Sequence, residues 1–183
     1  DARISTELVD HLPASDTVPS PLKFLGRYVG QPGELTYAKD IHRYYEALDK
    51  ASDRISMWTI GKTEEGRDMV LLAVADEATI KQIDKYKGMI ASLTDPRKTT
   101  EEQAQQLIRT AKPIYWVTSG MHSGETGGPE MLLELPARIH GELADGEVRI
   151  PARLAAAAAG PVLHHGVHAA VAGQRAARRV HCP

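Results

Sequence analysis

The spacing of apolar residues predicts an amphipathic helix that begins near Thr36. The apolar positions recur every three or four residues, with charged residues between them. They are Tyr37, Ile41, Tyr44, Tyr45 and Leu48. Thr36 is expected to be the N-cap, because its hydroxyl can accept a hydrogen bond from the first turn. Residues 1–35 are rich in proline and glycine and are predicted to form an irregular lead-in.

Three short apolar runs predict β-strands over residues 55–60, 69–75 and 114–118. A polar turn separates the first two runs. Two further helices are expected between the second and third: one with apolar positions from Ile80 to Ile90, and one opened by a capping box of Thr99 and Glu102. This alternation predicts an α/β fold in which the three strands share one sheet and the helix from Thr36 packs on it.

The strongest chemical signal lies in a glycine-rich loop between the third strand and the next helix, where open α/β sheets place their ligands. His122 and Glu125 are three residues apart there, so one turn of chain can bring an imidazole nitrogen and a carboxylate onto the same ion. Nitrogen and oxygen ligands suit zinc, and two histidines with one glutamate form a catalytic zinc set. The alternative is a surface histidine beside a glutamate favoured by the helix dipole. Pro129 is expected at the first helical position.

Composition and charge exclude several classes of protein. The net charge is −2 and the pI about 6.5, so the chain lacks the excess of positive charge that attracts nucleic acid or anionic membranes. No apolar run approaches the ~20 residues of a membrane span. The single cysteine, Cys182, excludes an internal disulfide and a cysteine-built zinc module. The chain starts at Asp1 without a leader, which leaves open a trimmed chain or a removed signal peptide.

The amino-acid composition of the chain changes near residue 135. Every lysine and every aromatic residue lies before that point, whereas five of the eight histidines lie after it. The net charge is −5 up to Leu135 and +3 afterwards. We therefore divide the chain into the lead-in 1–35, a domain portion 36–135 and a tail 136–183 rich in alanine, arginine and histidine, which is not expected to be a native domain.

Three stretches resemble the M14 (carboxypeptidase A-like) family of zinc carboxypeptidases. They read DIHRYYEALDKASDRI, TIGKTEEGRDMVLLAVADE and YWVTSGMHSGETGGPEMLLEL. The resemblance covers the N-terminal portion of such a domain. It implies a mixed sheet with helices on both faces, a Zn²⁺ cofactor with His122 and Glu125 as ligands, and removal of C-terminal residues from peptide substrates. It also implies a secreted or periplasmic location. Oligomeric state is left open.

Two departures from the family qualify that expectation. Many digestive members have arginine before the ligand glutamate, where this chain has Gly124, so a charge that contacts substrate is absent. The family's third ligand, its Asn-Arg pair and its general-base glutamate are expected outside this chain. His140 and His164 are available as substitutes for the third ligand, although the sequence fixes neither at bonding distance. The alternatives are an inactive truncated domain that at most binds metal or peptide, and a related amino-acid deacylase or peptidoglycan peptidase.

Pro136 is expected to interrupt the helix that follows the loop, because it lacks an N–H and clashes with the preceding turn. We therefore expect a poorly packed tail after about residue 145 and hypothesise a frameshift near codon 136. Reading the coding DNA in the other frame tests this: no M14-like continuation there would refute it. The alternative for the tail is a metal site on a helix face that carries His164 and His168, with His165 between them.

Overall fold

A computed structural model describes residues 15, 17–120, 122, 124–144 and 167–172. The helices in this part of the chain are α1 (Pro21–Leu25), α2 (Ala38–Ala51), α3 (Glu77–Lys81), α4 (Ile83–Thr94), α5 (Glu101–Thr110) and α6 (Gly127–Ala144). The strands are β1 (Ile55–Lys62), β2 (Asp68–Val74), β3 (Ile114–Ser119) and β4 (Val167–Ala172).

The four strands form one mixed sheet in the order β1-β2-β4-β3. β1 and β2 are an antiparallel hairpin with an irregularity between Thr59 and Gly61. β4 pairs parallel with β2 and antiparallel with β3. The predicted fold class, an α/β fold with a mixed sheet and packed helices, is confirmed. The three predicted strands share this sheet, as expected.

The core lies between the sheet and the helices α2 and α6. Alternate residues of β2 point into it, as the two-residue period of a strand requires. In both helices, apolar residues about one helical turn apart are buried. The predicted packing of the first amphipathic helix on the sheet is therefore confirmed. The largest buried members of this core are Tyr44, Tyr45, Leu48, Val70, Leu72, Val74, Leu132 and Leu133.

The prediction that Pro136 interrupts the last helix is wrong, because α6 continues through Pro136 to Ala144. Proline cannot donate to the carbonyl four residues earlier, which here is that of Leu132. The hydroxyl of Tyr45 donates to this carbonyl instead, at 2.9 Å in the core. Burial raises the pKa of Tyr45, so the phenol keeps its proton. A side chain of α2 therefore replaces the missing backbone donor, and Ile139 beyond the proline is still buried.

The expected poorly packed tail stays a prediction for the residues outside the described part of the chain, but the backbone of Val167–Ala172 pairs within the sheet. These residues form β4, which lies between β2 and β3 and pairs with both. A short apolar run can fill this position because the exposed backbone edges of β2 and β3 need hydrogen-bonding partners. His168 is in this strand, so it cannot share a helix face with His164. His164 and His165 lie outside the described part of the chain, as do the other residues of 145–166 and 173–183.

Smaller corrections concern helix boundaries. Tyr37, not Thr36, is the N-cap of α2, without a side-chain hydrogen bond. The capping box of α5 is formed by Thr100 and Gln103, one residue later than predicted. The single helix expected from Ile80 to Ile90 is divided into α3 and α4 at Gln82, whose backbone is not helical. Apolar spacing continues across this break, which is why the pattern did not reveal it.

A polar cluster joins the start of α3 to Lys112, two residues before β3. Asp76 caps α3 by accepting from the Thr79 backbone N–H at 2.9 Å, and Lys112 donates to the other carboxylate oxygen at 2.8 Å. Burial by itself would raise the pKa of Asp76, but the hydrogen bonds from Lys112 and Thr79 outweigh it and hold the pKa at about 2. The ammonium of Lys112 also lies over the ring of Tyr86, 5.4 Å from its centroid.

We predict that Lys112→Met lowers the free energy of unfolding by about 1 kcal/mol at pH 7, a value reduced for partial exposure. The pKa of folded Asp76 lies below its unfolded value. Its contribution is therefore complete above about pH 4 and lost as the pH falls through about 2. Urea unfolding between pH 2 and pH 7 should show the difference between wild type and variant shrinking in acid. Lys62→Met, at an exposed ion pair with Asp68, is the control and should cost almost nothing. A pH-independent difference would contradict the prediction.

Candidate active site

The loop that carries the sequence motif is positioned by the end of β3 and the start of α6. β3 ends at Ser119, and Gly120 then takes a left-handed conformation with φ 77°, which turns the chain out of the sheet. The sequence predicted Pro129 at the first helical position. Because α6 begins at Gly127, Pro129 is instead the third residue of the first helical turn. Proline is tolerated in this turn because its missing N–H would have no partner inside the helix.

The structure brings His122 and Glu125 together at the start of α6. The imidazole Nδ1 lies 2.8 Å from the carboxylate Oε1, and the Glu125 N–H donates to the His122 carbonyl at 3.0 Å. This turn brings the two side chains within hydrogen-bond distance of each other, and the three-residue spacing of the motif predicted that they would be close. The side chains are 71% and 63% exposed, so their mutual attraction is weakened by water and both can reach a ligand from solvent.

A pocket of about 190 Å³ lies beside this pair. One wall comes from α6 and the motif loop, and the other from the segment that leads into α2. Leu35 and Thr36 line the pocket from that segment, opposite His122 and Glu125. The predicted boundary between an irregular lead-in and a domain at residue 35 therefore falls within a wall of the site.

Glu130 fixes this wall, a role that no sequence pattern indicated. Its side chain is 7% exposed and accepts two backbone hydrogen bonds: Thr36 N–H to Oε1 at 2.7 Å and Gly30 N–H to Oε2 at 3.2 Å. Arg27 closes the same loop by donating to the Thr36 hydroxyl. A carboxylate in the first turn of a helix is normally explained by the helix dipole alone. The contacts span 94 residues and more, so no local pattern reports them.

A protein-family comparison covers both the sheet and the segment that carries the motif. The family model for zinc carboxypeptidases, Peptidase M14, matches residues 41–143, which is more than half of the chain. This match includes most of α2, all of β1 to β3, the His122–Glu125 pair and nearly all of α6. The chain belongs to the zinc carboxypeptidase family. The predicted resemblance is thereby confirmed, and the match runs past residue 135, where the composition changes. No curated protein and no solved structure matches the chain.

The donor chemistry of His122 and Glu125 fits two ligands of a zinc site. An imidazole nitrogen and a carboxylate oxygen are both ligands that zinc accepts, and here they lie within hydrogen-bond distance of each other. A catalytic zinc normally has three protein ligands. Among the described residues, no group of three or more histidine, cysteine, aspartate or glutamate side chains is arranged to hold a metal. The part of the site that the structure describes therefore brings together two side chains of types that can bind zinc.

His140 does not complete that set. It lies in α6 thirteen residues after Gly127, which places it about 20 Å along the helix at a rise of 1.5 Å per residue. Its Nε2 lies 2.8 Å from the hydroxyl of Ser52 at the end of α2. Burial, together with nearby Arg54, lowers the pKa of His140 and favours the neutral imidazole. His140 therefore joins two helices and is separate from the motif loop.

Among the helices that the structure describes, none is long and apolar enough to cross a membrane.

Gly128 allows α6 to approach the end of β3 closely. A Cβ at this position would lie 1.9 Å from Ser119 Oγ and 3.1 Å from Ser119 Cβ. We predict that Gly128→Ala lowers the free energy of unfolding by about 1–3 kcal/mol, the usual cost of overpacking. Adding Ser119→Ala should recover part of this loss, since it removes the closer atom. Thermal unfolding of the two variants tests this, and Gly124→Ala is the control because its Cβ would meet nothing within 4 Å. Equal stability of the Gly128→Ala variant and wild type would contradict the prediction.

Proposed function

We propose that this chain is the N-terminal portion of a zinc-dependent metallocarboxypeptidase that removes C-terminal residues from peptides. His122 and Glu125 would be two of the zinc ligands. The observation that supports this proposal is the 2.8 Å approach of His122 Nδ1 to Glu125 Oε1 at the end of β3, inside the segment that matches the family. A secreted or periplasmic location, as in many members of the family, belongs to the same proposal.

When bound, zinc supplies Lewis-acid chemistry: it polarises a carbonyl and lowers the pKa of bound water. The residues of this chain would hold the metal and orient the substrate. The turn from His122 to Glu125 presents a nitrogen and an oxygen donor without rearrangement of the backbone. The pocket beside them admits part of a substrate, and Glu130 fixes the opposite wall. We assign the general base, which would move the proton, to none of the described residues.

A second function is favoured by the number of ligands. Because the described residues provide two metal donors where a catalytic site uses three, we also consider a non-catalytic domain that binds metal or peptide. On this ground we expect the purified chain to hydrolyse peptides negligibly. Losing a general base alone typically costs ~10²–10⁴-fold in rate, and a missing ligand adds to that loss.

A peptidase assay with added zinc discriminates between the two functions. The chain is incubated with equimolar zinc and an N-acylated dipeptide, and release of the C-terminal amino acid is measured. We expect no release above that from the His122→Ala variant. Turnover that His122→Ala abolishes would establish catalysis by this chain and refute the non-catalytic alternative. Turnover that is unchanged in His122→Ala would refute the assignment of the site.

A further inference from the structure

A second cavity, of about 480 Å³, lies near the C-terminal end of α6 and away from the motif loop. Its walls come from the end of α2, the first residue of α3, His140 of α6 and the lead-in around Ser15. Ala51 is the single apolar residue among the described residues that line it. The volume falls within the range of about 300–1,000 Å³ typical of small-molecule sites, so the cavity suits a small polar ligand.

Two cations in this cavity form no ion pair with a described residue. Lys50 and Arg54 both line the cavity and have no carboxylate in contact there. The two carboxylates in the lining, Asp53 and Glu77, lie beside Lys81, which forms an ion pair with Glu77. Arg54 attracts Glu77 more weakly, from a longer distance. Three cations therefore surround two carboxylates, and the excess positive charge lies on the cavity side.

His140 adds a buried nitrogen atom without a partner. The residue is 7% exposed, and its Nε2 lies 2.8 Å from the Ser52 hydroxyl. Its Nδ1 is buried and has no hydrogen-bond partner in the described part of the chain, so the bonding of this side chain is incomplete. Burial and nearby Arg54 lower the pKa of His140, which keeps the imidazole neutral at pH 7. An anion in the cavity would offset the repulsion from Arg54, so the imidazole would take up a proton more readily.

The chemistry of these groups favours a phosphate group. Arginine presents a planar set of N–H donors that matches two phosphate oxygens, and lysine adds a point charge. A phosphomonoester carries a charge of about −1.5 to −2 at pH 7, which can use both cations, whereas a carboxylate carries a single charge. The hydroxyls of Ser15 and Thr17 line the same cavity and suit a ligand that also carries hydroxyl groups.

We propose that this cavity binds the phosphate group of a small, hydroxyl-bearing phosphomonoester, with Arg54 and Lys50 as its cationic ligands. His140 lies beside this phosphate group and acts as a third cation when it is protonated. The site is separate from the proposed metal site, and neither site depends on the other.

Calorimetric titration of the full chain in the presence of a metal chelator tests the site. The probes are glycerol 3-phosphate, inorganic phosphate and glycerol. We expect glycerol 3-phosphate to bind at least about threefold more tightly than inorganic phosphate, and glycerol to show no binding. Arg54→Met should weaken both phosphates at least about tenfold, and Lys50→Met about fivefold, because each removes a charged donor. Lys39→Met is the matched control: Lys39 is an exposed lysine in the first turn of α2, and its loss should change neither affinity.

The pH dependence of sulfate binding tests the role of His140. Sulfate keeps its charge between about pH 5.5 and about pH 7.5, so a change in its affinity comes from the protein. The charged groups that line the cavity with His140 are Lys50, Asp53, Arg54 and Glu77. Because the pKa of His140 is lowered in the free chain and a bound anion raises it, the affinity should rise about threefold or more as the pH falls. His140→Gln should remove this rise and leave the affinity at about pH 7.5 nearly unchanged.

Several outcomes would overturn the site: no phosphate binding, equal affinities of glycerol 3-phosphate and inorganic phosphate, or equal effects of Arg54→Met and Lys39→Met. A pH dependence that persists in His140→Gln would refute the role of His140. Thermal unfolding shows whether each variant is folded, and the two cation variants keep the test decisive if His140→Gln does not fold. His122→Ala should bind phosphate like wild type, so failure of the metal site and failure of this site are distinguishable.

Discussion

Glu130→Ala is expected to lower the free energy of unfolding by about 2–4 kcal/mol and to open the wall of the site. Two hydrogen bonds to a charged acceptor are lost, each typically worth about 1.5–3 kcal/mol, and water recovers part of the loss at the freed N–H groups. Glu130→Gln should be nearly as costly, because its amide NH₂ would face one of the two backbone donors. Local opening should appear as faster tryptic cleavage after Arg27, whose side chain bonds Thr36 in the closed loop.

Glu134→Gln is the control for this prediction. Glu134 lies one turn further along α6 and is half-buried, and burial raises its pKa, so a neutral amide should be tolerated there. Unfolding by urea, with tryptic digestion in parallel, separates global from local effects. If Glu130→Gln and Glu134→Gln proved equally stable and equally resistant at Arg27, the role assigned to Glu130 would be wrong.

Tyr45→Phe is expected to cost about 1–3 kcal/mol of stability, because it leaves the buried carbonyl of Leu132 without a donor. The cost should depend on Pro136. In a Pro136→Ala background the backbone N–H of residue 136 can bond to Leu132, so the same tyrosine substitution should cost less than about 1 kcal/mol. A double-mutant cycle on urea unfolding therefore predicts a coupling energy of at least about 1 kcal/mol.

Tyr44→Phe controls for the loss of a buried hydroxyl. Tyr44 is also fully buried, and it donates to the carbonyl of Pro19 at 2.9 Å, away from Pro136. Its substitution should cost the same in both backgrounds. Additive effects of Tyr45→Phe and Pro136→Ala would show that the phenol does not replace the missing N–H.

The elements that the sequence predicted correctly are those with a strong local pattern. Each of β1, β2 and β3 lies within two residues of its predicted bounds, because a short run rich in apolar residues between turn signals marks a strand. The three- and four-residue spacing of apolar residues predicted α2 in the same local way. The pairing of His122 with Glu125 could be predicted too, since it depends on a single turn of chain.

The features that the sequence did not predict depend on contacts between distant residues. Pro136 looked like a helix breaker because the donor that replaces its missing N–H at the carbonyl of Leu132, the hydroxyl of Tyr45, comes from another helix. Glu130 holds residues about a hundred positions away. The place of β4 between β2 and β3 is a matter of topology, which a six-residue apolar run cannot specify. The frameshift hypothesis stays a prediction that the coding DNA can test.

The zinc affinity of the purified chain tests the metal site most directly. Competition with a chelating dye gives the dissociation constant for wild type, for His122→Ala and Glu125→Ala, and for His42→Ala, which removes a half-buried histidine of α2 away from the pocket. We expect weak binding by wild type. Each ligand variant should bind at least about tenfold more weakly, since even an outer-shell partner is typically worth 10–100-fold. His42→Ala should bind like wild type. Equal affinities of wild type, His122→Ala and Glu125→Ala would show that zinc binds elsewhere and would contradict the proposed site.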